Sequence, residues 1–138
     1  MSEESLWGEL PIEEQVETPA WILKQQAMAL QKVTHGILDA RIVTTNMGEE
    51  LEHAFRIVAP ALGNYSTEIL TVRHPAELFP VEVRANWGAW REAKDADDLK
   101  LKLKEVLQSD RTRRVVRGLV AQSRDLGAPK QEEEEIPF

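Results

Sequence analysis

The apolar positions change period three times along the chain. Over residues 1–17 only Leu6, Trp7, Leu10 and Ile12 stand out among glutamates, and they keep neither a helical nor an alternating spacing. We read this stretch as a flexible acidic arm that lays Trp7 on the body. At Thr18 the pattern sharpens. Thr18 suits an N-cap and Pro19 the first helical position, and Ile22, Leu23, Met28, Leu30 and Val33 share one helical face up to Gly36. Residues 37–45 are then rich in β-branched side chains, Asn46-Met47-Gly48 reads as a tight turn, and residues 50–59 as the returning strand. After a connection at 60–64, residues 65–73 alternate, with Tyr65, Thr67, Ile69 and Thr71 on one side and Ser66, Glu68, Leu70 and Val72 on the other. Residues 80–85 offer a fourth short strand. Beyond Trp87-Gly88-Ala89-Trp90 the spacing is helical again: Asp95, Asp97 and Asp98 load a helix N-terminus, and Leu99, Leu103, Val106 and Leu107 form its apolar face. Ser109 or Asp110 caps a last helix running through Arg124, with Val115, Val116, Leu119 and Val120 inward, and Gly127 and Pro129 stop it.

This order predicts an α+β fold: an N-terminal helix, a four-stranded antiparallel meander and two C-terminal helices. Residues 18–128 form a single domain, flanked by the arm at 1–17 and a disordered acidic tail at 129–138. A chain of 138 residues with 42% hydrophobic and 30% charged content supports a real core. Cysteine is absent, Met1 to Glu4 lack the basic and apolar regions of a signal peptide, and no apolar run approaches a membrane span, so a cytoplasmic protein without a membrane role is expected.

The formal net charge of −7 is unevenly placed. Glu3, Glu4, Glu9, Glu13, Glu14 and Glu17 load the arm with no Lys or Arg, whereas residues 18–128 hold sixteen basic and fourteen acidic groups. Arg111, Arg113, Arg114, Arg117 and Arg124 fall in a stretch without a carboxylate, where a phosphate or an acidic peptide can dock. Two readings of the neighbouring aromatics stay open. Trp87 and Trp90 beside Arg84 and Arg91 can make a stacking platform for single-stranded DNA, with the arginine-rich helix extending the track. Alternatively, both tryptophans seal the sheet against the C-terminal helices.

The tail carries the most specific signal. Glu132, Glu133, Glu134 and Glu135 lead into Ile136, Pro137 and Phe138. Phe138 offers a ring for a small apolar pocket and a carboxylate for an arginine, the glutamates can be steered to a basic rim, and Pro137 lowers the ordering cost. This segment resembles the acidic C-terminal tip of bacterial single-stranded DNA-binding proteins, with Glu where that family usually has Asp. The resemblance covers residues 132–138 alone. It implies docking onto enzymes of DNA replication, repair or recombination, in a bacterial or phage setting. The body is not expected to share that family's OB-fold, which needs five barrel strands with a helix among them, whereas here helices flank an uninterrupted meander.

No catalytic motif stands out. His35, His53 and His74 have no spacing that presets a metal site and read as surface or partly satisfied residues; Glu50 with Glu52 reads as a solvated edge and the aspartates at 95–98 as helix capping. The glycines are scattered, with no phosphate-binding loop, serine elbow or Cys-His pair. The sequence therefore suggests a non-catalytic accessory protein needing no metal or cofactor, its partners enzymes with a pocket for the Ile-Pro-Phe tip. Single-stranded DNA on the body and a homodimer paired through a sheet edge are further expectations. The alternative is an inhibitor or immunity-type protein that competes with single-stranded DNA-binding protein for a partner enzyme.

Overall fold

A computed structural model describes residues 5–127. Helix α1 (Pro19–Val33) is followed by strands β1 (Asp39–Asn46), β2 (Glu50–Ala59), β3 (Tyr65–Pro75), β4 (Val81–Ala85) and β5 (Arg91–Ala93), then by α2 (Ala96–Leu107) and α3 (Asp110–Leu126). A 3-10 turn (Pro60–Leu62) links β2 to β3. The sheet is antiparallel throughout, in the order β1-β2-β3-β4-β5, with β1 and β5 at its edges. The class is α+β, as the periodicity predicts, but the meander has five strands, not four. Sequence reading misses β5 because three residues directly after Trp87-Gly88-Ala89-Trp90 are too few to show an alternation; their pairing of Glu82 with Glu92 and Val81 with Ala93 makes the strand.

Local chemistry explains the boundaries. The Thr18 side chain accepts a hydrogen bond from the Trp21 N–H, and Pro19 opens α1 where its missing N–H costs nothing. His35 and Gly36 both take left-handed backbone angles after the helix, and the Gly36 N–H reaches back to the Gln31 carbonyl. At the first hairpin the Asn46 side chain accepts from the Gly48 N–H at 2.8 Å, and Gly48 adopts a φ of +99°, a value that glycine reaches without strain. Asp95 accepts from the Asp98 N–H to begin α2, and Ser109, not Asp110, caps α3 through the Thr112 N–H.

All three helices contribute to the core on one side of the sheet. Ile22 and Leu23 of α1, Leu99 and Leu103 of α2 and Leu119 of α3 join Phe55, Ile57, Leu70, Val72, Val81 and Val83 of the strands. One register detail departs from the alternation along β3. Phe55 pairs with Leu70 but Arg56 with Glu68, so Ile69 is an extra residue in β3. This bulge puts Thr67, opposite Ile57, on the same side as Leu70, opposite Phe55, although their numbers differ in parity. The strict odd-even division of residues 65–73 therefore fails at Ile69, and Ile69 and Leu70 are both buried.

The opposite face of the sheet has no helix on it and is tiled by charge. Arg73 Nε donates to Glu82 at 2.7 Å, Arg56 bonds Ser66 and lies 3.6 Å from Glu68, and the Thr71 hydroxyl donates to Glu68. Residues 5–17 of the arm form no helix or strand. Trp7 is 75% exposed, so it does not lie against the body, and Glu17 meets Lys100 of α2 at 3.0 Å.

Phe55 anchors the core at the centre of the β2–β3 pairing and is 2% exposed. Truncating it to Ala is expected to cost about 3–5 kcal/mol, read as a lower urea midpoint at unchanged slope.

Candidate functional site

Three groupings of side chains bear on function. The first is the cleft between the β4–β5 hairpin and the α2–α3 junction. It encloses about 230 Å3 and is lined by Val83, Trp87, Arg91, Glu105 and Ser109 among others. Arg91 donates to Glu105 at 2.6 Å, and this hydrogen bond, aided by the opposite charges, holds the Glu105 carboxyl below its ordinary range. Arg111, at the start of α3, places its guanidinium 5.2 Å from the centre of the Trp87 ring. On α2, Lys102 bonds Asp98 at 2.8 Å, and this bond, with the one from the Lys94 N–H, pulls the Asp98 carboxyl down as well.

Trp90 lies elsewhere. Arg73 and Arg84, both on the helix-free face of the sheet, put their guanidinium carbons 3.8 Å and 4.8 Å from the centre of its ring. Arg84 Nε is buried and finds no acceptor among the described residues; its contact is with the indole. The two tryptophans are therefore in separate environments, Trp87 beside α3 and Trp90 under two strand arginines. They do not form one continuous platform, and Trp90 does not seal the sheet against the helices.

The second grouping is α3 itself. Arg111, Arg113, Arg114, Arg117 and Arg124 are all exposed, and among the described residues none of them lies within ion-pair distance of a carboxylate. At about 100° per residue, Arg113, Arg117 and Arg124 fall on one stripe and Arg114 just beyond it. Of the arginines singled out from the sequence, then, Arg91 is neutralised by Glu105 and Arg84 is committed to Trp90, which leaves the α3 arginines as the uncompensated charge among the described residues. Glu132, Glu133, Glu134, Glu135, Ile136, Pro137 and Phe138 lie outside the described residues.

The third grouping was not legible in the sequence. His53 on β2 and His74 on β3 are 3% and 4% exposed, and their rings stack with Nε2 atoms 2.8 Å apart. They are not surface residues. His53 pairs across the sheet with Val72, so His74 is its diagonal neighbour on the same face. The only signal for this was the parity of His53 with Phe55 and Ile57, which reads as a core position once the strand is known. The partners fix every proton. The Pro75 carbonyl only accepts, so His74 Nδ1, 2.7 Å away, carries the hydrogen and its Nε2 is the acceptor. His53 Nε2 must then donate to His74, and His53 Nδ1 accepts from the Thr44 hydroxyl at 2.8 Å. Both rings are neutral in this arrangement. Burial, and next the neighbouring His74, hold His53 below the ordinary histidine value of 6.5.

Among the described residues no group of three or more His, Cys, Asp or Glu is placed to hold a metal ion. No helix among them is long and apolar enough to cross a membrane. Asp95 and Asp98 act as backbone acceptors at the start of α2. No family model matches the chain, and neither a curated protein nor a solved structure does.

The histidine pair sets a pH dependence. Because the folded state resists a proton on His53 that the unfolded chain accepts, this contribution to stability is complete above about pH 6.5 and is lost as the pH falls below it. Urea midpoints measured from pH 8 down to pH 5 should drop through the histidine range, and His53→Gln should flatten that drop relative to the natural chain.

Proposed function

We propose that this protein is a non-catalytic accessory factor of DNA metabolism that attaches to replication, repair or recombination enzymes through residues 132–138. The observation that carries the reading is the acidic run of Glu132, Glu133, Glu134 and Glu135 leading directly into Ile136, Pro137 and Phe138. An acidic solubilising tail gains nothing from two large apolar side chains stiffened by a proline, whereas a docking peptide needs an apolar anchor, a pre-ordered backbone and charge to steer it. The surface of the body supports a second element of the reading. Five exposed arginines on α3, with Trp87 beside the first of them, suit the backbone of a single strand, and the rest of the charged surface is largely paired within itself.

Two measurements test these elements separately. In a pull-down from bacterial extract treated with nuclease, the intact chain is expected to retain DNA-metabolism enzymes and the chain lacking Phe138 to lose them. Equal retention by both, or by neither, overturns the docking reading. For the body, binding of a single-stranded oligonucleotide is expected to weaken steeply with salt, and Arg113→Glu combined with Arg117→Glu to weaken it about tenfold or more at low salt. A chain that ignores DNA at every salt concentration yet displaces the tip peptide of single-stranded DNA-binding protein from an enzyme is the inhibitor of the alternative reading.

A further inference from the structure

Between α1 and α3 the helix layer leaves an apolar groove over the middle of the sheet. Ala29, Leu30 and Val33 form one wall, Val116 the other, and Phe55 and Ile57 the floor; the groove encloses about 190 Å3 and no charged residue lines it. Its α3 wall has a definite charged border. The flank of α3 that carries Leu119, Gln122 and Leu126 faces Ala61 and Tyr65, away from the groove. On the groove side the helical order runs from Thr112 and Val116 through Val120 directly to Arg113, Arg124 and Arg117. The two carboxylates of α3, Asp110 and Asp125, stand near its ends. The surface is thus an apolar slot with a basic rim along one edge.

The chain contains a segment with the complementary chemistry, tethered at the right place. Residues 128–138 leave from Gly127, the cap of α3, and carry four glutamates followed by Ile136, Pro137 and Phe138. Val116 lies about 15 Å back along the helix from Leu126 at a rise of about 1.5 Å per residue. The nine residues from 128 to 136 can reach about 30 Å at about 3.3 Å each. A return path along α3 therefore brings the glutamates beside Arg124, Arg117 and Arg113 and delivers the apolar residues to the slot.

We propose that the groove between α1 and α3 is the receptor for the acidic Ile-Pro-Phe segment of the same chain, which keeps that segment sequestered until another pocket competes for it. The inference rests on the proposed function for the identity of the competitor but not for the contact itself. A short tether gives the segment a high effective concentration at the groove, so an external pocket sees only the released fraction.

The chain has no cysteine, so Gln131→Cys gives a single site for a nitroxide label on the full-length protein. The expected result is broadening of the Val33, Thr112 and Val116 amide signals in the labelled chain. That broadening should at least halve in two separate backgrounds, Arg113→Glu with Arg117→Glu, and Phe138→Ser, with signals of the sheet unshifted as the check on folding. Mixing label-only with isotope-only chains distinguishes the source: broadening that persists undiminished in the mixture means that the segment of a second copy occupies the groove, and overturns the proposal. No broadening, or broadening indifferent to both sets of substitutions, overturns it too. If the label shows no contact while the pull-down still captures enzymes, this inference fails and the docking reading stands; if the contact is seen and no enzyme is captured, the reverse holds.

Discussion

The register between β2 and β3 decides which side chains the helices cover and which face open solvent. Ten residues of β2 pair with β3, and every buried side chain at the centre of the sheet, from His53 through Phe55 to Ile57 and from Leu70 to His74, takes its side from that pairing. The bulge at Ile69 is what lets β3 bury four residues in succession; without it Glu68 and Leu70 would share a face, and a carboxylate would point into the helix layer. With the register as it is, Glu68 instead collects Arg56 and Thr71 on the open face. Since all three helices pack on one side, the other side has to be made compatible with water, and the ladder of Arg73 with Glu82 and the cover of Arg73 and Arg84 over Trp90 do this.

Much of this was readable from the chain. Thr18 and Pro19 announced α1, Asn46 and Gly48 announced the first hairpin, and the aspartates at 95–98 announced α2, because capping and turn formation are decided within four residues and leave a local trace. The fifth strand and the bulge left none. Both depend on which strand lies alongside, a relation between residues more than ten positions apart. The candidate residues divide in the same way. The arginines of α3 were visible as a stretch without carboxylates, and they remain uncompensated among the described residues. The histidines were misjudged because His53 and His74 look unrelated until the strands pair, and the two tryptophans looked like neighbours because the sequence does not show the sheet passing between their environments.

The distribution of charge is the link between fold and proposed role. Most ion pairs in the body are surface pairs between adjacent elements, each worth little to stability. Their effect is to spend the local charge, so that Arg91, Arg73 and Lys102 contribute less to the outer field than their number suggests. The helix that carries no carboxylate between Arg111 and Arg124 is left to set the sign of one side of the molecule. A net charge of −7 and a basic working surface are therefore compatible in the same small chain.

The hydrogen-bond chain from Thr44 through His53 and His74 to the Pro75 carbonyl runs in one direction only, since its last acceptor has no proton to give back. Of its four members the threonine hydroxyl alone can reverse, changing from donor to acceptor without moving its oxygen. An added proton on His53 Nδ1 can thus be taken up by rotation of one O–H, with the imidazole contact and the carbonyl contact both kept. Thr44 sits on β1, the edge strand, and is exposed. The interior of the sheet consequently has a proton port at its rim: the buried pair senses the solvent through a single rotor, and the charge it acquires is shared by two rings that never leave the core.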